Sequence, residues 1–329
     1  MVETGQSLIE RLLDEWPDLL CDARIGWGTG RGRIMNSAGI DEAYEQTSYY
    51  CSLGAQLIRG TDMLNIWTGS SSSHVLEENE LDRLLQTVRR SLRWSENIAK
   101  ATPSTGDIPV IFTPRGFAAT LLHPLLSGFN GKNVVNESSP LCERWGEKIV
   151  DEHISVYDNP LIGGASGSRP FDDEGVASSK TALIENGIAG QPLLDLQTAG
   201  QLGKLSTGAA GRGLATTPAP SSSVIDVAAG DTHFEDMIAG IKEGLIVEEL
   251  LGAGQGNELG GDFRANVSLG YRIANGEIVG RVKDTMVSGN VYSVLSQVEY
   301  IGDSPEWIFG SLRSPAIQCR GVEVATKSE

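Results

Sequence analysis

The stretch GLIVEELLGAGQGNELGGDFRANVSLGYRIANGEIVGRVKDTMVSGN, Gly244 to Asn290, decides the fold. From Phe263 the apolar or small residues take every second position (Phe263, Ala265, Val267, Leu269, Tyr271, Ile273), which is the period of a strand with one buried face. Asn275-Gly276 then supplies two residues that tolerate positive φ, as a type I′ turn requires, and Ile278, Gly280 and Val282 continue the alternation on a return strand. The pattern predicts a β-hairpin.

Working outward, the expected class is α+β: an N-terminal α/β unit over 1–102, followed by a β-rich C-terminal domain over 107–329 with hairpins and a few helices. Leu8, Ile9, Leu12, Leu13 and Trp16 share one face of a helix over about 6–20. IMNSAGI, TSYYCSLGAQLI and MLNIWTGS read as strands. Leu81, Leu84, Leu85, Val88 and Leu92 repeat at three- and four-residue intervals and predict a helix over 77–99 that packs by one face. ATPSTGD (101–107) is a polar connector and the expected boundary. IPVIF (108–112) is then a buried-type strand and 116–129 a helical run, while 131–232 read mostly as loops and hairpins. Within that span, ENG (185–187) is a second Asn-Gly turn, and the Gly/Ala/Ser/Thr-rich segment 206–223 is expected to be mobile or ordered by a partner. Thr232 and Glu235 have capping-box spacing ahead of another short helix, with strands after it.

With 26 basic and 43 acidic residues among 329, the net charge is −17. That charge opposes binding to phosphate backbones and to acidic membrane surfaces. The first twenty residues lack the basic start and uninterrupted apolar run of a signal peptide, and no stretch is long and apolar enough to span a bilayer. The four cysteines, Cys21, Cys51, Cys142 and Cys319, have no metal-like or redox-like spacing and read as unpaired thiols of a cytoplasmic protein. Glycine, at 40 of 329 residues, is about 12% against an ordinary 7% or so and points to many turns in a β-rich body.

GGDF (260–263), ANGEI (274–278) and SGN (288–290) resemble the C-terminal domain of the TldD/PmbA proteins, once called modulators of DNA gyrase and regarded as metallopeptidases. PFDDEGVASSKTALIENG (170–187) and MNSAG (35–39) match further blocks in the family's order. In full-length members another α/β domain precedes the part that corresponds to residue 1. The resemblance implies that this chain lacks it, either naturally or through a start assigned too late.

Active TldD-type members carry a His-Glu-x-x-x-His helix after the strand matching IPVIF, with a cysteine far downstream completing a zinc site. Such a site needs neutral imidazoles and a thiolate to hold the metal and a carboxylate to take a proton from its water. Here the run is His123-Pro124-Leu125-Leu126-Ser127-Gly128. The first histidine is kept, the glutamate is Pro124 and the second histidine is Gly128. The SPEWIFG region, where the cysteine should fall, has none, and Cys319 lies later. No catalytic and no metal-binding residue is therefore expected in this chain, which resembles the PmbA/TldE branch. The resemblance implies that the zinc belongs to a TldD-type partner and that this chain supplies the wall and peptide-binding surface of a chamber in which unfolded peptides or peptide precursors are cut.

An extended peptide can satisfy its backbone by adding to a sheet edge. The expected substrate-binding residues are accordingly His123, Gly260, Gly261 and Asp262, although the glycines serve equally well as turns. Two alternatives stand beside this reading: a homo-oligomeric, non-proteolytic peptide-binding scaffold, and an independent hydrolase using Asp172, Asp173 and Glu174. Carboxylates before glycine more often belong to turns. His74, His153 and His233 occur in unrelated contexts. Gly252, Gly254 and Gly256 do not have dinucleotide-loop spacing and suit a close backbone approach. GRGR (30–33) reads as a turn too short to form a nucleic-acid patch.

Overall fold

The computed structural model describes residues 1–252 and 256–327, so Gly254 lies outside the described residues. Helix α1 (Val2–Leu13) leads into β1 (Leu20–Met35), β2 (Asp41–Arg59) and β3 (Asp62–Ser72), an antiparallel sheet in the order β1-β2-β3, and then into α2 (Glu78–Trp94). Leu8 and Leu12 of α1 and Leu84, Leu85, Val88 and Leu92 of α2 bury against Leu53, Leu64 and Ile66 of the sheet. Both helices are shorter than their apolar periodicity predicts. α1 stops ahead of Pro17, whose ring disfavours helix in the residue before it. After α2 the chain is taken by the large sheet: Arg281 N–H donates to the Asn97 carbonyl, and Ile98–Ala99 pair with Arg281–Val282.

Asn36–Gly39, expected within a strand, form the β1–β2 turn, where the Asn36 carboxamide accepts from Ala38 and Ile40 N–H. The 30–33 run, expected as a turn, lies inside β1. Gly26, Gly28, Gly30 and Gly32 share one face there, opposite Tyr50, Ser48, Gln46 and Tyr44. A Cβ at Gly26 or Gly32 would meet the tyrosine ring laid across it. The tip of this hairpin rests on a distant loop, with Tyr44 edge-on to Phe171 at 5.4 Å and Ile40 against Gly175.

Among the described residues the remainder builds a ten-stranded sheet, a six-stranded sheet and one two-stranded pair. In the larger, Val110–Phe112 pairs parallel with Leu245–Val247 and antiparallel with Ile317–Cys319. This sheet divides two cores: Val110, Phe112, Leu245 and Val247 face one, Ile111 and Ile246 the other. The class is α+β, as the sequence predicts. The Asn275-Gly276 turn has φ of 52° and 80°, and Asn186-Gly187 has 50° and 78°, so both Asn-Gly hairpins form.

The single buried face expected from Phe263 to Ile273 is corrected. All six residues are buried, yet Phe263 and Val267 belong to one core while Leu269, Tyr271 and Ile273 belong to the other. The pairing explains it: Leu250 opposes Val267, Glu249 opposes Leu269 and Val247 opposes Gly270, so Ser268 and Glu248 are each skipped. A bulge adds a residue and shifts the phase of alternation, and the strand changes the core it serves.

Three smaller expectations also change. The helix Phe234–Ala239 is capped at His233 without a side-chain bond, because the Thr232 hydroxyl reaches Asp231 instead. The 206–223 segment carries a short antiparallel pair, Ala210–Gly211 with Ala219–Pro220, and Ala209 and Ala210 are buried, so it is anchored by the chain itself. A further helix, Val291–Leu295, interrupts the strands that close the chain, capped by the Asn290 side chain.

Candidate functional site

Thr113 caps α3 (Pro114–Phe117), accepting from Gly116 N–H, and the chain continues through a π turn, Ala118–Leu122, into α4 (His123–Phe129). Pro124 has no N–H and clashes with a regular preceding turn. The wider π turn directly before it absorbs that defect, and such turns recur at functional positions. The proline is buried, whereas the His123 side chain is 75% exposed, with Nδ1 3.4 Å from Glu258 Oε2.

Glu258 begins the one-turn 3₁₀ helix Glu258–Gly260, so the structure brings His123 beside the segment holding Gly260, Gly261 and Asp262. The backbone groups of that segment are already engaged. Gly260 and Asp262 N–H donate to the Asn257 carbonyl and Gly261 N–H to that of Glu258, while the Gly260 and Gly261 carbonyls accept from the Asn290 carboxamide and Val291 N–H. Gly261, at φ 91°, closes the turn in the left-handed region that favours glycine.

Tyr292 lies between this turn and α4. A Cβ at Gly261 would stand 2.8 Å from its ring, and one at Gly128 would overlap its hydroxyl. The ring is buried, its hydroxyl has no hydrogen-bond partner among the described residues, and burial raises its pKa. Zinc does not fit these residues. His123 faces outward onto Glu258, Pro124 and Gly128 offer no donor atom, and the volume beside Gly128 is filled. Among the described residues no group of three His, Cys, Asp or Glu side chains could hold a metal ion.

The Asp172 cluster is occupied with the backbone. Asp172 is fully buried, one oxygen accepting from Glu174 and Val176 N–H and the other from Ala210 N–H. Asp173 accepts from Arg212 N–H and Glu174 from Leu196 N–H, and burial raises the Glu174 carboxyl. These carboxylates pin the 206–223 segment and the hairpin's resting place. His153 pairs with Asp151, and His233 with Asp303. All four cysteines are free, and burial pushes the Cys51 thiol up to about 11.

A cleft of about 550 Å³, missed in the sequence, lies between the N-terminal layer and the six-stranded sheet. α2 forms one wall with Arg83, Thr87 and Arg90, at positions i, i+4 and i+7 of one helical face. That spacing was available beside the apolar stripe. Trp307 and Phe309 form the opposite wall, and Arg115 of α3 lies between them. Arg115 bonds Glu249 and the Trp67 carbonyl, and its guanidinium stands 6.0 Å from the Trp67 ring centre. Burial raises the Glu249 carboxyl, opposed by Arg115. Arg90 Nη2 is 3.7 Å from Glu248 Oε1 and its guanidinium 5.1 Å from Trp94. Both carboxylates come from the bulge in strand Glu243–Leu251, so the phase slip also positions the two arginines. His74 and Glu80, 3.4 Å apart, line the same cleft.

The α+β architecture recurs in solved structures. TldE from Thermococcus kodakarensis superposes with a TM-score of 0.86 at 24% identity, over 99% of this chain and 74% of that one. A Bacteroides thetaiotaomicron chain described as a modulator of DNA gyrase gives 0.83 at 22%, over 99% and 71%. Residues 105–326 match the PmbA/TldA metallopeptidase C-terminal domain, and the chain belongs to the PmbA/TldD family. A metalloprotease of Methanocaldococcus jannaschii is 31% identical over 71% of this chain and 51% of its own length. Metalloprotease PmbA of Escherichia coli O157:H7 is 30% identical over 62% and 42%. The chain thus spans about half the length of these relatives. No helix among the described residues is long and apolar enough to cross a membrane.

Proposed function

We propose that this chain is a non-catalytic, PmbA/TldE-like subunit of a TldD-type zinc protease, contributing peptide-binding wall to a shared chamber while its partner supplies the zinc. The observation that carries the reading is Tyr292 against Gly128. The chain keeps the family's fold blocks, yet Gly128, where the resemblance puts the second metal ligand, is packed against a buried tyrosine. Blocks retained without catalytic groups are most simply explained if they still build a surface.

His123 and Asp262 can offer side chains to a peptide. The turn they flank has its backbone engaged, so the cleft at α2, with its arginines and facing aromatic wall, is the better binding surface. The test is to co-purify the chain with a His-Glu-x-x-x-His partner and compare cleavage of an unfolded peptide with and without it. Stable association that raises cleavage supports the reading. A partner fully active alone, beside a chain that stays monomeric at micromolar concentration, overturns it.

A further inference from the structure

Arg83 is the unengaged cation of the α2 wall. It is exposed and forms no ion pair among the described residues, in contrast to Arg90, held near Glu248, and Arg115, held by Glu249. Among the described residues the buried Arg90 Nε has no hydrogen-bond partner. Arg83 and Arg90 lie two helical turns apart on the α2 face that lines the cleft, with the Thr87 hydroxyl between them donating back to the Arg83 carbonyl, and a guanidinium binds a carboxylate bidentately. The carboxylates of the lining are less free to compete. Glu80 accepts from Glu77 N–H in the helix cap and pairs with His74, leaving Glu306 on the opposite rim.

The facing wall is aromatic and held in an unfavourable backbone conformation. Phe309 has φ 52°, rare for a bulky residue, and Gly310 follows at 69°. The result is a half-exposed ring 5.3 Å from that of Trp67. Backbone of this kind persists where surrounding structure enforces it, and it clusters at ligand sites.

We infer that this cleft binds the free C-terminal end of a peptide, its carboxylate on Arg83 and Arg90 and its last apolar side chain against Trp307 and Phe309. The inference rests on the reading of the chain as a peptide-binding subunit and adds which part of the peptide it takes.

The experiment titrates the intact chain into an N-terminally dye-labelled, unstructured peptide ending in Phe, and measures anisotropy for the free acid, the C-terminal amide, and an amide carrying an internal Glu. The free acid should bind about tenfold more tightly than either amide, as expected for a charge-assisted contact. Arg83→Gln should close most of that gap. Arg83 is exposed and without an ion-pair partner, so this variant keeps its fold. Equal binding of acid and amide, or a gap untouched by Arg83→Gln, overturns capture of the terminus and leaves peptide binding standing. An internal-Glu amide as tight as the acid replaces the terminus by acidic side chains and overturns it likewise. No binding of any peptide removes the peptide-binding reading itself.

Discussion

Tyr292 occupies the space into which a side chain at Gly128 would project, and the two positions are matched: the glycine admits the phenol, and the phenol leaves no room for anything larger than hydrogen. Gly128→Ala should therefore destabilise the protein by about 1–3 kcal/mol through overpacking. Tyr292→Phe should change stability by less than about 1 kcal/mol, because the hydroxyl it removes has no partner. Urea unfolding of both variants checks the pair, and Gly128→Ala combined with Tyr292→Ala should cost less than the sum of the two single changes.

The purified chain should carry less than stoichiometric zinc and cleave no unfolded peptide by itself. A single outward-facing histidine beside a proline cannot complete a tetrahedral site. Restoring Pro124→Glu and Gly128→His together should not recover zinc binding, since the new imidazole would collide with Tyr292. Elemental analysis giving about one tightly held zinc per chain, in either protein, would contradict the assignment.

Gly276 sits at φ 80° with the Ala239 carbonyl 2.9 Å from where a Cβ would stand, whereas Gly39, at φ 93°, has nothing within 4 Å of that point. Valine at either site meets the left-handed backbone penalty of about 1–2 kcal/mol. Gly276→Val should cost at least about 1 kcal/mol more than Gly39→Val, because only it also crowds packed backbone. Equal thermal shifts would remove the close approach.

Asp62 accepts from Lys283 and Arg281, and these bonds hold its carboxyl below the usual carboxylate range. A depressed folded-state pKa contributes stability that is complete above the unfolded value of about 4 and disappears as pH falls through the folded one. Asp62→Asn should accordingly cost about 2–4 kcal/mol at pH 7, where it strands the buried Arg281 guanidinium. Its deficit relative to the parent chain should shrink steadily as the pH drops below about 4. A deficit that is the same at pH 7 and pH 3 would assign the loss to packing.

Local chemistry made the two Asn-Gly hairpins, the apolar faces of α1 and α2 and the strand Val110–Phe112 legible before any coordinates, since each is fixed by neighbours in sequence. Helix ends were not, because distant partners set them: Asn97 is claimed by Arg281 across 184 residues of chain. The bulge at Glu248 and Ser268 was hidden for a related reason. An alternation of period two looks the same whether or not its partner strand slips. At the site, the lack of a donor atom at Pro124 and Gly128 was readable from the sequence alone. The side chain packed against Gly128, Tyr292, comes from a helix 164 positions later and carries no motif. The cleft arginines were masked by the stronger apolar stripe of their own helix.

The phase slip in strand Asp262–Ala274 has a consequence for how the chain comes apart. One continuous backbone lends Phe263 to one core and Tyr271 to the other, so loosening either core removes lateral support from the same row of hydrogen bonds. Opening on one side should therefore spread to the other, and the two layers should melt together in a single cooperative transition. A protease cut in the 101–107 connector would accordingly leave two fragments that stay associated and retain the parent's melting cooperativity, held by a seam that no single peptide bond controls.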